Sequence, residues 1–125
     1  MKRLTYRDPI DATDGSKYAA WLRELRTASG VYVIRARRGG EVLYVGESHT
    51  GQLYKTLTRH FQAWNLPGFS GRTYARGAVE VAARRCPPGS AIACQDGLVK
   101  RLKPRDNVAG APPVADDYDW GAGDF

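Results

Sequence analysis

The chain has 125 residues, 19 Lys and Arg against 13 Asp and Glu, and a formal net charge of +6. That length suits one compact domain that buries a core without disulfide staples, and no second domain is expected. No run approaches the roughly 18 apolar residues a membrane helix needs, and the basic start Met1–Tyr6 has no apolar stretch behind it. Neither a membrane span nor a secretory leader is expected, and the cytosol is the expected compartment.

Residues 1–15, with Pro9, Asp11, Asp14 and Gly15, show no periodicity and read as an irregular arm. Ser16 stands where it can cap a helix running to about Ala28, with Tyr18, Trp21, Leu22 and Leu25 on one apolar face. Gly30 ends that helix. Val31-Tyr32-Val33-Ile34 begins a β-rich run to Arg37, Gly39-Gly40 signals a turn, and Glu41–Val45 is a second strand. The two strands predict an antiparallel hairpin. Gly51 to Trp64 reads as helix, with Leu53, Leu57, Phe61 and Trp64 at helical spacing as its core stripe. Gln52, Thr56, Arg59 and His60 then form its polar face. Asn65 to Arg72 holds Pro67, Gly68 and Gly71 and reads as a loop. Ala78–Ala82 predicts a third strand. After Pro87-Pro88-Gly89, Ser90 caps a last helix that runs to about Lys103 and is stopped by Pro104.

The charge is unevenly spread. Asp116, Asp117, Asp119 and Asp124 lie in the tail, so residues 1–115 carry 19 bases against 9 acids, a net of +10. Such a core attracts polyanions, of which nucleic acid is the commonest in a cytosol. The tail from Ala109 is rich in Gly, Ala, Pro and Asp. It has three readings: a strap over the basic face, a peptide for a protein partner, or a solvated end, the last being the ordinary use of such a composition. Cys86 and Cys94 read as small apolar side chains, because zinc would need two further ligands and His49 and His60 are the only histidines.

Gly30-Val31-Tyr32, followed by Tyr44-Val45-Gly46 at the end of the paired strand, resembles the signature of the GIY-YIG nucleases. Pro104-Arg105-Asp106-Asn107 resembles that family's closing Pro-x-x-Asn element, so the resemblance spans residues 30–108. It implies an α+β fold with a small three-stranded, mainly antiparallel sheet flanked by helices. Residues 1–29 would be an arm and helix packed on this domain, and 109–125 an acidic tail. The implied activity is phosphodiester hydrolysis in DNA with Mg²⁺ or Mn²⁺.

Tyr32 and Tyr44 lie on adjacent strands, so their phenols can converge on one face. A phenol titrates near pH 10 and helps activate water only where positive charge is close. Packing in the sheet is the alternative use of both rings. Gly46 would permit an unusual backbone angle or a close approach.

Two departures stand out. Where the family presents a phosphate-steadying arginine, this chain has Thr56, with Arg59 one turn later and Lys55 as a second candidate. His60 matches a histidine of the family pattern that would orient water or contact phosphate. The family's metal-binding glutamate falls on Gln95, which keeps the shape and loses the charge a hard cation needs. Asp96 is adjacent but points about 100° away around a helix, and Glu47, just after Tyr44-Val45-Gly46, is another carboxylate that could approach the site. Lys55, Arg72, Arg76, Arg84, Arg85, Lys100, Arg101, Lys103 and Arg105 are the candidates for holding a sugar–phosphate backbone. The expected function is therefore a DNA endonuclease, against a catalytically degenerate nucleic-acid-binding module of the same fold. A third class is a protein-interaction domain that uses the tail.

Overall fold

The structure is a computed structural model and describes residues 4–62, 64–66, 69–71 and 73–107. The elements in order are α1 (Ala20–Arg23), β1 (Gly30–Ala36), β2 (Val42–Ser48), α2 (Leu53–Thr58), β3 (Trp64–Leu66), β4 (Phe69–Gly71), β5 (Val79–Arg85) and α3 (Ala91–Leu102). Strands β2-β1-β5 form an antiparallel three-stranded sheet, and β3-β4 form a separate two-stranded one. The expected α+β architecture is present. No helix among the described residues is long and apolar enough to cross a membrane.

The hairpin forms because β-branched runs flank a turn whose Gly39 and Gly40 both take positive φ, 80° and 71°. Its register pairs Tyr32 with Gly46 and Ile34 with Tyr44, and Leu43 is the extra residue of a bulge between Ile34 and Arg35. On β1's other side Tyr32 pairs with Ala83, Val31 with Arg84 and Gly30 with Arg85. A side chain on Gly30 would collide with the Arg84 carbonyl, so close contact with β5 requires glycine there.

Both faces of β1 are buried, which is why it reads as a continuous apolar run. One face carries Tyr32, Ile34, Tyr44 and Val81 and packs under Leu22, Leu25, Leu53 and Leu57. The opposite face carries Val31, Val33, Val45 and Ala82 and packs under α3 through Leu98. The N-terminal arm covers the outer edge of β5: Arg7 and Val81 exchange two backbone hydrogen bonds, of 2.8 and 2.9 Å.

The helices are shorter than their periodicity predicts. The helix expected over 16–28 is one turn, α1, because the preceding segment satisfies itself locally. Asp11 and Asp14 carboxylates accept from Thr13 and Ser16, with Ser16 Oγ at 2.6 Å from Asp14 Oδ1, so Ser16 is not a helix cap. The helix expected over 51–64 ends at Thr58, followed by a 3₁₀ turn, Arg59–Phe61. Trp64 therefore starts a strand, and the stretch read as a loop from Asn65 contains β3 and β4. Ser90 stands at the start of α3, but its hydroxyl donates to the Pro87 carbonyl at 3.1 Å and does not cap. That helix closes on Lys103 in the left-handed region (φ 49°), directly before Pro104. The acidic tail lies outside the described residues.

Candidate active site

Tyr32 and Tyr44 project from neighbouring strands onto the same face, with ring centres 6.2 Å apart. The Tyr32 ring lies flat across its cross-strand partner, so a Cβ on Gly46 would overlap the phenol. Gly46 thus serves a close approach, and its φ is not in the left-handed region. The 3₁₀ turn after α2 brings His60 over both rings, 5.6 Å from Tyr32 and 4.8 Å from Tyr44. Tyr32 Oη and His60 Nε2 stand 2.7 Å apart, a buried hydrogen bond between residues 28 apart in sequence.

Burial holds the His60 imidazole far below its ordinary value of 6.5, at about 3, so the ring is neutral at pH 7. Its Nδ1 has no hydrogen-bond partner among the described residues. With the proton on Nδ1, the Tyr32 hydroxyl donates to Nε2; in the other tautomer Nε2–H donates to the phenol oxygen.

Sequence reasoning missed Tyr74 and Asp106. The Tyr74 ring lies 5.6 Å from His60, its backbone N–H donates to the His60 carbonyl at 3.0 Å, and its hydroxyl donates to Asp106 Oδ2 at 2.6 Å. Asp106 also accepts from Arg105 Nε at 2.8 Å. That bond first, then the one from Tyr74, holds its carboxyl below the usual range. Burial, reinforced by the Asp106 carboxylate, pushes the Tyr74 phenol well above its ordinary value. No local signal announces a contact spanning 32 residues.

Asn107 closes the site from the sheet edge. Its amide accepts from Val45 N at 2.8 Å and donates to Val45 O at 2.8 Å, copying a strand partner on the outer side of β2. Arg105 N and Asp106 N donate to the carbonyls of Val42 and Leu43 in the same run. The Pro104–Asn107 element therefore pins the backbone that carries Tyr44, and Pro104 is buried beneath it.

The remaining candidates are dispersed. Thr56, Arg59 and His60, read as a polar helix face, are all buried. The helix ends before Arg59, and polar residue type does not decide which side faces the core. Glu47 is 4 % exposed and pairs across from Val31, so it lies on the α3 face, opposite the Tyr32–His60 cluster. Its carboxylate meets His49 Nδ1 at 3.2 Å. Gln95 also belongs to that side, and its Nε2 donates to Val45 O at 3.4 Å. No group of three or more His, Cys, Asp or Glu suited to a metal occurs among the described residues.

Of the expected phosphate-holding cations, Lys55 is half-buried, while Lys100, Arg101, Lys103 and Arg105 are exposed along and after α3. Arg76 instead stacks on Tyr18 at 5.3 Å and donates to the carbonyl of Gly15. Arg72 lies outside the described residues.

Fold and site together define a small α+β domain that buries a tyrosine–histidine cluster against an antiparallel sheet. No family model matches the chain. Over 89 residues the chain is 36 % identical to UvrABC system protein C of Methylococcus capsulatus, a stretch covering 70 % of this chain. The chain spans 14 % of that relative's length.

Proposed function

We propose that the chain is a GIY-YIG-type endonuclease that hydrolyses phosphodiester bonds in DNA. The observation that carries this reading is the 2.7 Å contact between Tyr32 and His60, with Tyr44 against the same imidazole. The similarity to UvrABC system protein C and the net +10 of residues 1–115 support a nuclease-like function on nucleic acid. In this scheme the Tyr32 or Tyr44 phenol oxygen orients the attacking water. His60, too weak a base to ionise a phenol, fixes the ring of Tyr32 and its proton. The exposed cations Lys100, Arg101, Lys103 and Arg105 hold the flanking sugar–phosphate backbone, while Arg59 is buried beside the cluster.

A divalent cation, Mg²⁺ or Mn²⁺, would supply Lewis-acid stabilisation of the leaving oxygen. Glu47 does not fit such an ion at this cluster, because it is a buried carboxylate on the opposite, α3 face of the sheet, against His49. Gln95 does not fit, since it brings no charge and its amide nitrogen is turned to Val45 O.

The second reading is a module of the same fold that holds nucleic acid without cutting it. It is favoured by the full burial of Tyr32 and His60, together with Thr56 and Gln95 at the positions where the family keeps charge. Incubation of supercoiled plasmid with the chain and its Gln95→Glu variant, in Mg²⁺ or Mn²⁺, separates the two. Nicks by either favour the nuclease scaffold, and bound but intact plasmid with both favours the module.

A further inference from the structure

A cavity of 510 Å³ opens at the β5 edge, between that strand and the arm that precedes α1. Its lining residues include Arg7, Arg84 and Arg85 against one acid, Glu24, with Trp21 and Ala83; Arg84 pairs with Val31, so its side chain belongs to the α3 face. This cavity lies outside the tyrosine–histidine cluster yet next to it: Ala83 is the cross-strand partner of Tyr32, and neighbouring strands run about 4.8 Å apart. Arg84 and Arg85 stand at the same end of the sheet as Glu47 and Ser48, since Val31 pairs with both Arg84 and Glu47 and Gly30 with both Arg85 and Ser48.

Several features suit the cavity to a nucleotide. Arg7's guanidinium stands 5.7 Å from the centre of the Trp21 ring, placing a cation beside an aromatic plane, the two groups that a phosphate and a base require. Arg85 is held at the rim by donating to the Glu24 carbonyl at 3.1 Å, and both it and Arg7 are exposed. Trp21 is fixed from behind, its Nε1 donating to the Asp8 carbonyl at 3.0 Å. A volume of 510 Å³ lies in the range of small-ligand sites and has room for one nucleotide.

We propose that this cavity is a nucleotide subsite that takes the phosphate and base of a single-stranded segment flanking the reacting phosphate. The inference rests on the nucleic-acid reading above. Arg7 and Arg85 hold the phosphate, and Trp21 offers the stacking surface.

The test is fluorescence anisotropy with a labelled single-stranded 20-nucleotide DNA, and with its duplex, across a salt series. Binding is read in a Tyr32→Phe background so that the DNA stays intact. Two lost contacts to a single strand, at a slope of about 0.7 each, predict roughly 25-fold weaker binding at 0.1 M salt for Arg7→Gln/Arg85→Gln and a salt slope shallower by about 1.4. Lys17→Gln removes an exposed cation elsewhere and is expected to change affinity by less than about threefold. Loss in the double variant no greater than in Lys17→Gln, with DNA still bound, overturns the subsite and leaves the nuclease reading standing. Equal loss on the duplex overturns its assignment to a single strand. No binding of either DNA by the parent chain overturns the nucleic-acid reading itself, and the subsite with it.

Discussion

Lowering the pH from 7 to 5 is expected to destabilise the fold by about 2 kcal/mol through His60 alone. The imidazole is fully buried, and its folded value of about 3 lies below the ordinary 6.5 it regains on unfolding. Because the folded value is depressed, the unfolded chain binds the proton first. Stability is complete above pH 6.5 and falls as pH drops from there toward 3, at about 1.4 kcal/mol per unit. From pH 6.5 to 5 this gives about 2 kcal/mol. At about 2.1 cal/mol/K per residue of unfolding entropy, the melting temperature falls by roughly 8 °C. Asp106, whose carboxyl is held below the usual range, adds little in this window, because the stability it contributes is lost only as pH falls toward the ordinary carboxylate value of about 4. Thermal and urea denaturation at several pH values, for the chain and for His60→Gln and His49→Gln, is the assay. The acid loss should vanish in His60→Gln and persist in His49→Gln. Equal pH dependence in the chain and in His60→Gln would refute the buried neutral imidazole.

Four further outcomes follow from named contacts. Gly46→Ala drives a methyl into the Tyr32 ring, so a stability loss of at least about 2 kcal/mol is expected by urea denaturation. Asn107→Ala strips both hydrogen bonds from the Val45 peptide; we expect a loss of about 2–3 kcal/mol and faster hydrogen exchange at the Val45 amide. Tyr74→Phe removes one of the three side-chain hydrogen bonds to the Asp106 carboxylate, so its carboxyl should titrate higher by NMR, with about 1 kcal/mol lost at neutral pH. Lys103→Gly relieves a left-handed residue at the end of α3 and should raise stability by about 1 kcal/mol in thermal denaturation.

The sheet was legible because its signals are local. A glycine pair between β-branched runs fixes a hairpin, and the same register brings Tyr32 and Tyr44 to one face. Helix length was less legible. Spacing shows which residues would share a face, but Asx turns at Asp11 and Asp14 outcompete a helix start at Ser16. Pro67, Gly68 and Gly71 suggested a loop where β3 and β4 pair. Within the site, the Tyr74–Asp106 and Asn107–Val45 contacts join residues 32 and 62 apart, beyond any periodic pattern. Burial of Thr56, Arg59 and His60 ran against side-chain polarity: Thr56 stands three residues after Leu53 and shares its buried face, while Arg59 and His60 lie beyond the helix end at Thr58.

The central claim is that the Tyr32–His60 pair serves phosphodiester cleavage. Its most direct test is nicking of supercoiled plasmid in Mg²⁺ or Mn²⁺ by the chain, by Gln95→Glu and by Tyr32→Phe in each background, with DNA affinity and melting temperature measured in parallel. The account predicts nicks from the chain or from Gln95→Glu, lost in the matching Tyr32→Phe variant while that variant still folds and binds DNA. Nicking that survives Tyr32→Phe unchanged, or its absence from both the chain and Gln95→Glu, would contradict it.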